Sequence, residues 1–132
     1  MARVVLDAGA LIGLASNKDS HHAWAMDLFH QTLDYELCMA NLTYAECLVH
    51  PARANLLDQF LSNISGLNLH LWALENHSID HVAQIRAETG LKMPHALVLV
   101  AAIECGAALA TTDKKLAEAA FARDLKVYTP TY

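Results

Sequence analysis

Hydrophobic positions along this chain form short apolar runs that alternate with longer stretches of three- and four-residue spacing. The first run, "RVVL" from Arg3 to Leu6, reads as a buried strand ended by Asp7. "AGALIGLAS" predicts a short helix, and "NKDS" a polar break. From His21 to Leu33, Ala23, Met26, Leu28, Phe29 and Leu33 recur at helical spacing. "YELCMA" gives a second strand. "LTYAECLVH" gives a helix beginning near Asn41 to Thr43, which Pro51 is expected to break. "ARANLLDQFLSNI" resumes a helix, with Leu56, Leu57, Phe60, Leu61 and Ile64 on its apolar side. The alternating "LNLHLWAL" is a third strand. "SIDHVAQIRAETG" is amphipathic, with Ile79, Val82 and Ile85 inward and Gly90 as terminator. In "LKMPHALVLVAAIECG", Pro94 suits a first helical position and Gly106 ends the helix. "AALATTD" predicts a fourth strand ending at Asp113, "KKLAEAAFARD" a short helix and "KVYT" a fifth strand.

Short apolar strands alternating with helices predict an α/β fold: an α/β/α sandwich around a mainly parallel sheet of about five strands. Residues 1–132 read as a single domain, without repeats or linkers. In such folds ligands bind beyond the carboxyl ends of strands, which directs attention to Asp7 and Asp113.

Composition narrows the class. Hydrophobic residues make up 55% and charged residues 17%, which excludes a disordered chain. A net charge of −5 argues against simple electrostatic coating of nucleic acid. It remains compatible with a nucleic-acid enzyme whose carboxylates surround a metal. Cys38, Cys47 and Cys105 are odd in number and lack C-x-x-C spacing, so buried free thiols in a reducing compartment are expected. No secretory signal opens the chain, and the longest apolar run, Ala96 to Ile103, is far too short to span a bilayer. A soluble, cytoplasmic protein without membrane contact is the expectation.

Taken singly, each prominent acid has a plain structural explanation. Asp7 and Asp113 can cap the helices that follow them, and Thr43 to Glu46 fits the capping box S/T-x-x-E. The competing reading is that acids at strand ends and helix starts converge on one pocket. Such oxygen donors suit Mg²⁺ or Mn²⁺, which can activate water and stabilise charge on a phosphodiester. A cation would also relieve the repulsion between buried carboxylates.

"VVLDAGALIGL", "NLTYAECLVHPAR", "GLKMPHALVLVAAIECGAALATTDKKL" and "KVYT" together resemble the PIN domain, in the compact bacterial form of VapC-type toxins. The resemblance runs through essentially the whole chain, in order. It implies a divalent-metal-dependent endoribonuclease that hydrolyses RNA by metal-activated water, as the toxin of a VapBC-type pair. It also implies a cognate VapB-like antitoxin and a homodimer. Asp7, Glu46 and Asp113 match catalytic, metal-holding acids of the family, and Thr111 stands at its hydroxyl position in T-x-D. The third acid departs from the pattern: His95 replaces it. Imidazole is a poor Mg²⁺ ligand but acceptable to Mn²⁺, Co²⁺, Ni²⁺ or Zn²⁺. His95 is therefore a rim hydrogen-bonder, a ligand, or a proton shuttle or phosphate contact. The alternative function is a catalytically weakened PIN-like module that binds antitoxin or RNA.

Other signals are weaker. His21 and His22 read as surface residues, and His50, His70, His77 and His81 form no ligand motif. His77 and His81 are one turn apart, which permits metal contact, although a solvated face is the simpler reading. Lys114 and Lys115 are candidate phosphate contacts, and Arg53, Arg86 and Lys92 a candidate RNA rim. Trp24 and Trp72 read as core. There is no Ser-His-Asp order, nucleophilic-cysteine context or glycine-rich phosphate loop. An aspartate-nucleophile phosphatase needs a second acid two residues after Asp7, where Gly9 stands.

Overall fold

In the computed structural model, which describes residues 1–131, five short strands form one wholly parallel sheet. They are β1 (Arg3–Leu6), β2 (Glu36–Ala40), β3 (His70–Trp72), β4 (Ala108–Ala110) and β5 (Val127–Tyr128), in the spatial order β3-β2-β1-β4-β5. Successive strand side chains point to opposite faces, and both faces are covered, so the central strands read as unbroken apolar runs. Val5, Cys38 and Leu109 pack with Val82, Ile85 and Leu99 on one side. Val4, Leu6, Leu37 and Ala110 pack with Ala10 and Leu28 on the other. The predicted α/β/α sandwich is the observed one.

The helices are α1 (Ala8–Ala15), α2 (His22–Gln31), α3 (Asn41–Cys47), α4 (Val49–Arg53), α5 (Leu57–Ile64), α6 (Asn76–Thr89), α7 (Met93–Cys105) and α8 (Lys114–Phe121). Every residue of α7 from Ala96 to Ala102 is buried, which explains why its sequence is apolar all round. Pro94 lies in its first turn, where a missing N–H costs nothing. Gly90 and Gly106 close α6 and α7 in the left-handed conformation (φ 70° and 60°).

Several predicted details are corrected. Pro51 does not break the helix: the break falls earlier, at Leu48, and Pro51 sits in the first turn of α4. That position has no intrahelical N–H bond to lose. α5 begins only at Leu57, and of its expected apolar stripe Ile64 alone is buried, while Leu56 and Leu61 are exposed. The third strand is confined to His70–Trp72 at the sheet edge, with Leu71 exposed. Ile79 is also exposed, because α6 turns Ser78, Val82 and Ile85 inward and the Ser78 hydroxyl meets Glu104. In α2, Ala25 and Leu28 face the core, whereas Ala23 and Leu33 are exposed. No described helix is long and apolar enough to cross a membrane.

Candidate active site

The strand order reverses at β1, which has β2 on one side and β4 on the other. Chains leaving the carboxyl ends of β1 and β4 therefore diverge and leave a crevice between them. Leu6 pairs with Ala110, and the Asp7 N–H continues the ladder to the Ala110 carbonyl at 2.8 Å. This register sets Asp7 beside Thr111. The Thr111 hydroxyl donates to Asp7 Oδ2 at 2.7 Å and accepts the Asp113 N–H at 2.9 Å. One buried hydroxyl thus fixes both acids.

The capping explanations separate here. Asp113 does cap α8, its Oδ1 accepting the Leu116 N–H at 2.8 Å. Asp7 occupies the N-cap position of α1 but makes no side-chain cap bond. Its carboxylate turns instead to Thr111, with only 5% of the residue exposed. The Thr43–Glu46 capping box does not form either. The preceding strand ends at Ala40 and α3 starts at Asn41, so Thr43 lies inside the helix with its Oγ1 buried and unpartnered. Glu46 is exposed on α3.

His95, in the first turn of α7, stands between the two aspartates. Its Nε2 is 3.7 Å from Asp7 Oδ2 and its Nδ1 is 3.8 Å from Asp113 Oδ1. These separations exceed a hydrogen bond, so the ring faces both carboxylates without engaging either. Asp7, His95, Thr111 and Asp113 are therefore gathered at the crevice. Glu46 is not among the described side chains that contact Asp7, His95 or Asp113; it stands exposed on α3, next to the buried Cys47. Burial pushes that thiol up to about 12, and the charges of Asp7 and Glu46 add to the rise. Among the described residues, no group of three or more His, Cys, Asp or Glu side chains is placed to hold a metal ion.

The chemistry of the crevice nonetheless fits a cation. A buried carboxylate is costly unless charge or hydrogen bonds compensate it. Among the described residues, Asp7 has one ion-pair neighbour, an imidazole that carries charge only when protonated. Asp113 supplies a second hard oxygen donor, its side chain 36% exposed. Two carboxylates beside an imidazole are a donor set compatible with a divalent cation.

Gly9 is a determinant that sequence reading missed. A Cβ there would overlap the Thr112 hydroxyl, so the first turn of α1 and the loop after β4 keep this approach because position 9 is bare. The visible signal was the glycine two residues after Asp7. Lys115 Nζ donates to the Gly90 carbonyl at 3.2 Å, and Arg86 Nε to the Leu91 carbonyl at 3.1 Å, so both brace the loop leading into α7. Lys114, Arg53 and Lys92 are exposed. His21 and His22 are both half-buried, and His22 Nδ1 lies 2.7 Å from the Gly13 carbonyl oxygen. Trp24 and Trp72 pack against the core. All three cysteines are free thiols, with Cys105 only half-buried. A cleft of about 880 Å³ opens between α1, α4 and α5, lined by Ile12, Ala15, Cys47, His50, Phe60 and Asn63 among others.

Comparisons with known proteins agree with this architecture. No curated protein sequence matches the chain. Among solved structures, DNA-bound VapBC from Salmonella typhimurium is similar at a TM-score of 0.72 and 18% identity, covering 98% of each chain. VapBC2 from Rickettsia felis, bound to a DNA fragment from its promoter, gives 0.71 at 14% identity, covering 98% of this chain and 99% of that one. FitAcB from Neisseria gonorrhoeae gives 0.71 at 16%, covering 95% and 96%. At such identities the likeness concerns the fold. The family model described as PIN domain matches residues 4–122, nearly the full chain, and the protein belongs to the PIN domain family.

Proposed function

We propose that this protein is a divalent-metal-dependent endoribonuclease acting as the toxin of a VapBC-type toxin–antitoxin pair. The observation that carries the reading is the Asp7–Thr111–Asp113 linkage at the point where the strand order reverses, within a fold whose members are generally nucleases. Asp7 and Asp113 would hold Mg²⁺ or Mn²⁺, with Glu46 on α3 the further acid that the family resemblance assigns to the site. When bound, the ion supplies an activated water and stabilises charge on the phosphodiester. Thr111 keeps Asp7 in one orientation, so that its carboxylate meets the ion without reorganisation. His95 occupies the remaining side of the crevice and lowers its negative charge relative to a third acid. Lys114, exposed beside Asp113, meets a phosphate oxygen of RNA.

A VapB-like antitoxin is the proposed partner. One similar structure, from Klebsiella pneumoniae, is named a toxin–antitoxin complex and two others are named VapBC, and the cleft between α1, α4 and α5 has room for an apolar peptide segment. Exposed Leu42, Leu56 and Leu61 favour a homodimer, and the absence of a spanning helix among the described residues accords with a cytoplasmic setting. The direct test is cleavage of several RNAs with Mg²⁺ or Mn²⁺. Asp7→Asn should lower the rate by at least about 100-fold, which corresponds to about 2.7 kcal/mol of transition-state stabilisation. Cleavage unaffected by that change would place the chemistry elsewhere. His95 favours a second reading, a weakened module that binds RNA or antitoxin. Binding without cleavage in either metal would select it.

A further inference from the structure

The short loop of residues 90–92 joins α6 to α7, and side chains hold its backbone in place. Thr89 Oγ1 accepts the Leu91 N–H at 3.1 Å, and Arg86 Nε donates to the Leu91 carbonyl at 3.1 Å. Both of these side chains belong to α6 itself. The Gly90 carbonyl takes its donor from a different helix: Lys115 Nζ, in the first turn of α8, at 3.2 Å. A second tie joins the same two parts farther along. Arg123, just beyond α8, sets Nη2 2.8 Å from Oε2 of Glu88 in the last turn of α6. α8 is therefore fastened near both of its ends to the segment that leads into α7.

These ties join parts that burial leaves loosely held. From Ala96 to Ala102 α7 is fixed by its buried surface, but Met93 and Pro94 are exposed and His95 is half-buried. α8 buries one leucine, Leu116, with two alanines, Ala117 and Ala120, so little apolar area anchors it. Yet the starts of these two helices carry His95 and Asp113, whose Nδ1 and Oδ1 stand 3.8 Å apart. Neighbouring helical residues point about 100° apart, so Lys114 and Lys115 cannot share one role by direction alone. Lys115 is the one turned to the loop.

Resting on the reading of the crevice as an active site, we propose that Lys115 is a positioning residue and not a phosphate contact. Its bond to the Gly90 carbonyl holds the start of α8 against the loop before α7 and so sets the gap between His95 and Asp113. Arg123 steadies the other end of α8. Exposed polar ties add little to stability, whereas a misplacement of about 1 Å in an active site can lower a rate about 100-fold. The tie therefore acts on the rate more than on folding.

Lys115→Met keeps the apolar stem and removes the donor, and Lys115→Arg keeps a donor. In RNA cleavage with Mg²⁺ or Mn²⁺, Lys115→Met should lower kcat by about 10-fold or more at an unchanged KM, and Lys115→Arg should recover most of the loss. A phosphate contact gives the opposite split: KM rises, its salt dependence weakens and kcat is kept. That result overturns the proposal. Hydrogen exchange of the full chain, without metal or RNA, reads the tie directly. Amides of residues 90–96 should exchange about 10-fold faster in Lys115→Met and at the natural rate in Lys115→Arg, with the urea midpoint unmoved in both. Unchanged exchange in Lys115→Met overturns the proposal. A natural chain that cleaves no RNA would sink the nuclease reading alone: the tie then stands if exchange quickens in Lys115→Met and falls if it does not.

Discussion

At each end of α7 a histidine meets carboxylates, and the two ends differ in what holds the acids. At the amino end Asp7 and Asp113 leave adjacent strands, and the ladder and one buried hydroxyl fix their spacing. The Asp7 side chain is 7% exposed there. At the carboxyl end the carboxylates belong to a helix terminus and to the residue before α6, and the Glu75 side chain is 68% exposed. Strand register is a stiff constraint, because slipping it moves a whole ladder of buried side chains. Two packed helices with exposed side chains impose a looser one. The amino end is therefore organised before any ligand arrives, the preorganisation that the proposed catalysis would require. The carboxyl end is held only by contacts between the partly exposed side chains of His77, His81 and Glu104.

The largest expected effect comes from breaking the stiff end at its hydroxyl. Thr111→Val keeps the side-chain volume but leaves Asp7 Oδ2 and the Asp113 N–H without their shared partner. Buried groups stranded in this way cost about 1–3 kcal/mol each, so a loss of about 3 kcal/mol is expected in urea unfolding. Loss below about 1 kcal/mol would mean that the Thr111 linkage does not hold the acids. A somewhat smaller effect, about 1–3 kcal/mol, is expected for Gly9→Ala, since the new methyl must displace the Thr112 side chain. A normal unfolding midpoint for that variant would mean that the Thr112 side chain turns aside for no more than the roughly 0.5–1 kcal/mol that alanine gains over glycine in a helix.

The same contrast explains what could be read from the chain. The apolar stretches of β1, β2, β4 and α7 are buried on all sides, so their runs announced them. The rule for parallel sheets then pointed to Asp7 and Asp113 before any geometry was known. The segment from α3 to β3 was less legible, because local spacing does not distinguish a leucine that faces the core from one that faces solvent. Leu56, Leu61 and Leu71 have the spacing of core residues and are exposed. Ile79 was misread for a related reason: the inward position belongs to its neighbour Ser78, whose partner Glu104 is 26 residues away. The T-x-x-E pattern at Thr43 failed because the start of α3 is set by where β2 ends. His95 was visible as a departure from pattern, but its place between two carboxylates follows from the packing of α7 across the sheet.

That placement gives the subtlest experiment. His95→Asp would set a third carboxylate within reach of Asp7 and Asp113, on ring positions now 3.7 and 3.8 Å from them. Without metal, like charges repel, although the amino end of α7 favours an anion by about 0.3–1 kcal/mol. These opposing effects leave a net destabilisation of about 1 kcal/mol in metal-free buffer. Mg²⁺ should reverse it, because the variant binds the ion more tightly, by at least about 10-fold, and binding to the folded state alone raises its stability. The sign is therefore the diagnostic: the variant should melt below the natural chain in chelator and above it in millimolar Mg²⁺, with faster RNA cleavage in the same buffer. An identical Mg²⁺ response in the two proteins would mean that position 95 does not set the affinity of the crevice, and the charge argument for its histidine would fall.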